Sequence, residues 1–210
     1  MHDVLILGVR RAFSSTDPTI NLPLRYGYIK DARGAVKVSN KIFERIMTDY
    51  FIINEEDEIE AFPTGGLIYE VTKNNTFNMQ LCLERFQLFW QEMYSEKKRK
   101  YYEKECRILF LMYLRPLLNG IGFYHIESAL TDDRRMDVVV TYGKELFILE
   151  LKTWKGQLYN RQGVEQLLGY MNKKNIDKGY LLTFDFRKNP EEFEPVWTNH
   201  DEKKIFEVRV

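Results

Sequence analysis

The stretch from Met136 to Thr153, MDVVVTYGKELFILELKT, decides the fold of the chain around it. Two apolar, β-branched segments lie on either side of Tyr142-Gly143-Lys144-Glu145, and a two-residue turn at Gly143-Lys144 is typical of strands joined in this way. The pattern predicts a β-hairpin. Its second strand is apolar on both sides, which indicates burial on both faces.

This buried strand nevertheless carries Glu150 and Lys152. Burying either charge alone costs several kcal/mol, so each needs a partner, a metal or water. With Gly143-Lys144 as the turn, antiparallel pairing places Asp137 opposite Glu150, with Cβ atoms about 4.5–5.5 Å apart. Lys152 points to the same face because side chains alternate along a strand. We therefore expect two carboxylates and one ammonium group together at one end of the hairpin.

Two carboxylates at this spacing repel each other, and a divalent cation between them removes the conflict. Mg²⁺ or Mn²⁺ binds one or two carboxylates and leaves positions for a phosphate oxygen and a water. Lys152 could then stabilise the charge that develops on a phosphate or orient the water. The alternative is a solvated cross-strand salt bridge on an exposed strand face, and spacing alone does not separate the two.

The N-terminal part of the chain predicts a helix, a hairpin and a second helix. Asp17-Pro18 can start the first helix, residues 28–30 and 36–38 flank the turn, and Ser39 is placed to cap a helix over about residues 40–51. This order of elements suggests a winged-helix fragment.

The middle of the chain predicts a connector and then a long helix. Residues 54–66, NEEDEIEAFPTGG, are acidic and then rich in turn formers, and the apolar periodicity that follows predicts a helix over about residues 77–99. From Tyr101 the elements alternate, which indicates an α/β domain with a sheet covered by helices. Besides the hairpin, we expect a helix at about 102–118, a strand at 122–128, a helix at about 161–174 and a strand at 179–184.

We therefore divide the chain into three parts: a winged-helix-like segment over residues 1–55, a linker and long helix over 56–100, and an α/β domain over 101–210.

Hydrophobic residues at 44% and charged residues at 30% are typical of soluble globular proteins. The sequence contains no apolar run long enough for a membrane helix and begins without a basic leader, so we expect a cytoplasmic protein. Cys82 and Cys106 lie in apolar helical patterns and are expected to be packed thiols.

Lys plus Arg equals Asp plus Glu, 31 each, so any binding of nucleic acid must come from a local patch. Arg134 and Arg135 precede the hairpin, where they could contact phosphate or screen the carboxylates, and Lys155 follows it. Trp154 could stack on a base, although a packed indole is the simpler interpretation.

Four segments resemble the PD-(D/E)XK nuclease superfamily, and in particular the nuclease-like domain at the C-terminal end of predicted AAA-ATPase-like proteins. They are RRMDVVV at 134–140, FILELKTWKG at 147–156, GVEQL at 163–167 and GYL at 179–181. The resemblance covers about residues 101–188. One departure is that the proline and acid of the family's first motif are Met136-Asp137 here.

The resemblance implies a restriction-endonuclease-like mixed sheet flanked by helices. It also implies that Asp137 and Glu150 bind Mg²⁺ or Mn²⁺ together with the Leu151 carbonyl, and that Lys152 is the catalytic lysine. Gln166 matches a glutamine that often approaches this lysine, with an ordinary surface amide as the alternative.

A helical glutamate ahead of the core helps to hold the metal or its water in many members of this superfamily. Glu105 is the candidate, since it precedes Ile108 and Leu109 by a helical turn, and Glu103 is its competitor.

Residues 5–51 resemble the winged-helix-like tail that follows the ATPase core in the same proteins. The sequence contains no G-x-x-x-x-G-K-[ST] motif, so we expect no ATP hydrolysis by this chain. It would be a fragment of a longer ATPase or a descendant that lost the motor.

The sequence thus predicts a metal-dependent nuclease that hydrolyses the phosphodiester bonds of DNA by means of a metal-activated water. The alternative is a catalytically inactive nuclease-fold module that binds nucleic acid or a protein. RNA as substrate, endo- or exonuclease action, and a homodimer or an ATPase partner are left open. No membrane partner is expected.

Overall fold

The computed structural model describes residues 1–5, 10–55, 66–94, 99–118, 120–128 and 136–210. The side chains of residues 52–55, 99, 101, 103–104, 127–128 and 136–137 are outside this description. The chain divides into two compact units, the first formed by Met1–Ala61 and His125–Met136 and the second by Phe62–Tyr124 and Asp137–Val210. The predicted three-part division into 1–55, 56–100 and 101–210 stays a prediction.

The first unit contains the predicted helix, hairpin and helix. The elements are α1 (His2–Leu5), α2 (Pro18–Arg25), β1 (Ile29–Asp31), β2 (Val36–Val38) and α3 (Lys41–Glu55). The strands pair antiparallel, with Ile29 opposite Val38. Ile20, Ile29 and Val36 form a small buried core. The element order matches the expectation, and the winged-helix-like fold of this unit stays a prediction.

The starts of α2 and α3 are fixed by side-chain caps. The Asp17 carboxylate accepts the N–H of Thr19 at 2.9 Å, and Pro18 occupies the first turn of α2. The predicted cap of α3 at Ser39 is wrong, because the Asn40 side chain accepts the N–H groups of Ile42 and Phe43, each at 3.0 Å. Ser39 remains in the hairpin, where its N–H donates to the Tyr28 carbonyl at 2.9 Å.

The second unit begins with short elements and two long helices and continues into the sheet. Its elements are α4 (Leu67–Val71), β3 (Thr72–Lys73), β4 (Thr76–Phe77), α5 (Met79–Met93), α6 (Arg99–Leu118), β5 (Gly122–Ser128), β6 (Met136–Tyr142), β7 (Glu145–Thr153), α7 (Gln157–Lys174), β8 (Lys178–Phe184), β9 (Val196–His200) and β10 (Lys203–Arg209). Residues 125–128 of β5 and Met136 of β6 belong to the first unit.

The predicted helix over residues 77–99 is shorter than expected. Phe77 belongs to β4 and pairs with Thr72 of β3. The Asn78 side chain caps α5 by accepting the Leu81 N–H at 3.0 Å. The helix ends before Tyr94, whose backbone is extended, and Arg99 begins α6 instead. Helix α7 starts four residues before the predicted position 161, directly after its N-cap Gly156, whose φ of 105° is a backbone conformation that favours glycine.

Six strands form one mixed sheet in the order β5-β6-β7-β8-β10-β9. The predicted hairpin is confirmed: β6 and β7 are neighbours joined by Gly143-Lys144, and Gly143 has the positive φ, 58°, that such a turn requires. β7 and β8 pair parallel, with Lys152 opposite Thr183. β8 and β10 are also parallel, whereas β9 and β10 are antiparallel.

Helices cover both faces of this sheet. On one face, α7 packs Leu167 and Met171 against Ile148, Leu181 and Ile205. The other face carries aromatic contacts to α5 and α6; the ring of Phe86 lies 6.3 Å from Phe184 and 5.0 Å from Phe110. The predicted mixed sheet flanked by helices is thus confirmed, and it is consistent with a restriction-endonuclease-like fold.

Both cysteines are buried and free, as expected for packed thiols. Burial raises the pKa of Cys106 to about 12, so this thiol stays protonated near neutral pH. Among the helices of the described residues, none combines the length and the apolar character that crossing a membrane requires.

Candidate active site

Strand β7 directs the two charged side chains of the candidate site toward α7. Ile148 packs against α7 in the core, and side chains two residues apart on a strand share a face. Glu150 and Lys152 therefore lie on the α7 side of the sheet. Leu151 points away, and its side chain is fully buried in the opposite core.

The ammonium group of Lys152 has three described neighbours. Its Nζ lies 3.3 Å from Oε1 of Glu150 and donates to Oε1 of Gln166 at 2.8 Å. It also lies 4.8 Å from the ring centroid of Tyr159, where the π face attracts a cation. The structure thus brings together the predicted residues Glu150, Lys152 and Gln166.

This cluster is removed from water. The Glu150 and Lys152 side chains are 0% and 4% exposed. Two opposite charges at this depth stabilise each other, and removing one partner of a buried pair typically costs about 3–5 kcal/mol. The two buried charges of β7 therefore form an ion pair, and Lys152 is also in contact with the Gln166 amide and the Tyr159 ring.

Helix α7 supplies these neighbours from one of its faces. Tyr159, Gly163 and Gln166 are spaced by four and three residues, so they follow one another along the same side of the helix. A Cβ atom at Gly163 would lie 3.2 Å from Cε of Lys152. The absence of a side chain at Gly163 therefore makes room for the lysine. Sequence reasoning missed Tyr159 and gave Gly163 no role, although their spacing from Gln166 was visible.

The predicted second carboxylate is only partly described. Asp137 lies in β6, but its side chain is outside the described part of the structure. Its position opposite Glu150 therefore stays a prediction. Arg134 and Arg135 lie outside the described residues altogether.

The remaining predicted residues are placed as follows. Glu105 is buried in α6, as expected for an inward-facing glutamate, and its part in the site stays a prediction. The side chain of its competitor Glu103 is not described. Lys155 is exposed, and its Nζ lies 5.4 Å from the ring centroid of Tyr159, on which Lys152 also lies. Trp154 is a packed indole, with the Arg209 guanidinium carbon 3.7 Å from its ring centroid.

The described donor atoms fit an oxygen-preferring divalent cation in type. Glu150 offers a carboxylate, Leu151 offers a backbone carbonyl beside it, and Mg²⁺ requires few protein ligands because it keeps several waters. Among the described side chains, no three His, Cys, Asp or Glu residues are grouped to hold a metal. That set does not include Asp137, the predicted second ligand.

No curated protein and no solved structure matches this chain. One protein-family model does match, over residues 121–195, a range that contains Glu150, Lys152 and Gln166. This part of the chain, from the start of the sheet to the loop after β8, is therefore similar to the PD-(D/E)XK nuclease superfamily.

Proposed function

We propose that this protein is a metal-dependent nuclease that hydrolyses phosphodiester bonds of DNA. The observation that carries the proposal is the pair Glu150 and Lys152, buried side by side on β7 and tied to Gln166, within the region that matches the nuclease superfamily. A nuclease needs a carboxylate for its cation and a second positive charge near the phosphate. The structure supplies one of each at 3.3 Å.

The cation would be held by Glu150, the Leu151 carbonyl and Asp137, with Glu105 near the cation or its water. Bound Mg²⁺ or Mn²⁺ would supply Lewis-acid chemistry and lower the pKa of the attacking water. These residues have oxygen donors, which suits either ion.

Lys152 would stabilise the negative charge that builds up on the phosphate oxygens during attack. Gln166 accepts one of its three N–H groups and so fixes where the ammonium group lies. Tyr159 attracts the same cation from the side of its ring. The residues of α7 thereby orient the lysine, and the exposed Lys155, with Arg134 and Arg135, would contact the backbone phosphates of DNA.

The first unit would assist substrate binding as a winged-helix-like segment related to ATPase tails. Its support is the element order, since α2, the β1–β2 hairpin and α3 follow one another as the resemblance requires. An ATPase partner or a larger ATPase chain would then supply the motor that this sequence lacks.

Cleavage assays test the nuclease directly. Purified protein with Mg²⁺ or Mn²⁺ is incubated with supercoiled, linear and single-stranded DNA and with RNA, beside Lys152→Ala. Lys144→Ala is the matched control, because it removes an exposed lysine from the turn of the same hairpin. We expect cleavage of DNA by the wild type and by the control, and loss of at least two orders of magnitude in Lys152→Ala, the scale on which a lost charge-stabilising donor acts. Equal rates for wild type and Lys152→Ala would end the proposal.

A second candidate function is supported by the burial of the site. Glu150 is 0% exposed and already ion-paired with Lys152, an arrangement that can also be purely structural. The protein would then be an inactive nuclease-fold module that binds nucleic acid or a protein. Thermal unfolding separates the candidates: an intact site gains stability with Mn²⁺, and Asp137→Asn removes the gain. A module shows no shift in either protein.

A further inference from the structure

A cavity of about 270 Å³ lies in the second unit at the ends of β8 and β10. It is bounded by α5, by the loop after β8 and by the end of β10. Its lining includes Trp90, Tyr94, Arg187, Lys188, Phe193 and Arg209. None of them belongs to the cluster around Lys152.

Arg209 lines this cavity, and its guanidinium group lies against the rings of Phe193, which also lines the cavity, and of Trp154, which does not. Its guanidinium carbon is 3.7 Å from the ring centroid of Trp154 and 4.7 Å from that of Phe193. Within the part of the chain that the structure describes, the guanidinium makes no hydrogen bond and no salt bridge. Burial lowers the pKa of Arg209, although the group stays charged near neutral pH. A planar group with five donors thus lies against aromatic rings without a protein acceptor among the described residues, and it is partly exposed to water.

The acidic groups around the cavity do not satisfy Arg209. Asp185 is engaged by Arg187, whose Nε and Nη2 donate to its carboxylate at 3.0 and 2.7 Å. Glu191 and Glu192 are exposed on the loop. Gln87 donates to the backbone carbonyls of Phe193 and Arg209, which fixes the loop to the strand end. With Arg187 engaged by Asp185, Arg209 and the exposed Lys188 are lining cations to which the structure shows no carboxylate hydrogen-bonded among the described residues, and both could bind an anion.

The same cavity presents aromatic surface. Trp90 and Tyr94 are stacked, with centroids 6.1 Å apart and ring planes 23° apart, and Phe193 also lines the cavity. Pairing an arginine with aromatic rings is how proteins bind nucleotides of single strands, the ring stacking on the base and the cation on the phosphate. The volume is of the order of a small-ligand site.

We propose that this cavity binds one nucleotide unit, with its phosphate on Arg209 and its base against Trp90 and Tyr94. Lys188 at the rim adds positive charge for the next phosphate. The choice of a nucleotide over another aromatic anion rests on the proposed function. Trp154 follows Lys152 by two residues, and its N–H donates a hydrogen bond to the Phe184 carbonyl, as a residue of an extended strand beside β8 would. The contact of Trp154 with Arg209 therefore lies about 7 Å along the strand from the candidate catalytic lysine.

The test is a binding measurement in EDTA, so that no strand is cut. Tryptophan fluorescence of the full chain is titrated with inorganic phosphate, with dTMP and with a short oligothymidylate. Trp90 lines the cavity and Trp154 lies against Arg209, so we expect quenching by both nucleotide ligands and tighter binding of dTMP than of phosphate. Tighter binding of the oligonucleotide assigns the site to a strand; binding of dTMP alone assigns it to a free nucleotide.

Arg209→Gln should weaken binding of dTMP at least about tenfold, because a charge-assisted contact is lost. Lys204→Ala is the matched control, since it removes a positive charge from the other end of β10 and should bind as the wild type. Arg209→Lys, which keeps the charge without the planar group, gives an intermediate affinity and remains informative if the glutamine variant does not fold. Equal affinity of wild type, Arg209→Gln and Arg209→Lys, or no quenching of the wild type, overturns the inference.

The two proposals fail separately. Lys152→Ala should bind dTMP as the wild type does while losing cleavage. A wild type that cuts DNA with no nucleotide bound in the cavity refutes this inference alone, and a wild type that binds dTMP without cutting refutes the nuclease alone.

Discussion

Nζ of Lys152 donates a hydrogen bond to Oε1 of Gln166 at 2.8 Å, which joins the charged strand β7 to helix α7. Because Lys152 is almost fully buried, the amide replaces a water that the ammonium group would otherwise bind. The position of the lysine therefore depends on α7 as well as on its own strand.

Replacing Gln166 by Ala should destabilise the protein by about 1–3 kcal/mol, since a buried ammonium group loses one acceptor. Urea unfolding measures this difference in the free energy of unfolding. Gln162→Ala is the control, because Gln162 is exposed on the same helix. Equal losses in both variants would mean that the hydrogen bond to Lys152 contributes nothing.

Two glycines of α7 form a matched pair. At Gly169 a Cβ atom would meet no atom within 4 Å, so Gly169→Ala should stabilise the protein by about 0.4–1 kcal/mol through helix propensity and the unfolded chain. At Gly163 the added Cβ would lie 3.2 Å from Cε of Lys152, and the buried lysine would have to shift by a few tenths of an ångström. We expect Gly163→Ala to lack the stabilisation seen at Gly169 and to reduce DNA cleavage. Thermal unfolding and cleavage rates of the two variants check this, and equal stabilisation would contradict it.

Glu145 at the start of β7 ties this strand to the short strand β4. Its Oε2 accepts the N–H of Phe77 at 2.9 Å, and the Phe77 ring packs 5.3 Å from Tyr142. Glu145→Ala should cost about 1–3 kcal/mol, because Phe77 is buried and its N–H would lose a charged acceptor. Glu145→Gln keeps an acceptor oxygen and should cost less in urea unfolding. The account is wrong if the glutamine variant loses as much as the alanine variant.

Asp185 makes stability depend on acid pH. Burial alone would raise its pKa, but hydrogen bonds from Arg187 outweigh burial, and the folded-state pKa lies below the ordinary value of 3.8. A lowered carboxyl pKa stabilises the folded state at pH values above 3.8, and this contribution disappears as the pH falls through the folded-state pKa. Asp185→Asn should therefore be less stable than the wild type at pH 6, with a difference that shrinks below about pH 4. Unfolding curves between pH 2 and 6 test this, and a difference independent of pH would refute it.

Much of the sheet was predictable because its signals are local. The alternation on both sides of Gly143-Lys144 predicted β6 and β7 within their observed bounds, and the strand at 122–128 was also correct. The end of α5 and the cap of α3 were not predicted. Tyr94 ends α5 and Asn40 caps α3 through hydrogen bonds that residue periodicity does not encode.

Strands β9 and β10 were not predicted, although β10 completes the core beside β8. The pairing of β10 with β8 joins Ile205 to Gly179, 26 residues away, and such a register depends on tertiary packing rather than on a local pattern. The cavity at Arg209 was missed for the same reason. In the candidate site, the strand period brought Glu150 and Lys152 to one face, whereas the contact with Gln166 was expected only from the family resemblance.

The most direct test of the central claim is a crystal of the protein soaked in Mn²⁺ and measured at a wavelength where manganese scatters anomalously. The account predicts an anomalous peak at about 2.0–2.3 Å from a carboxylate oxygen of Glu150, with Lys152 beside it. A fully soaked crystal with no peak at Glu150, and with Lys152 still paired to that carboxylate, would contradict the claim that β7 carries a nuclease metal site.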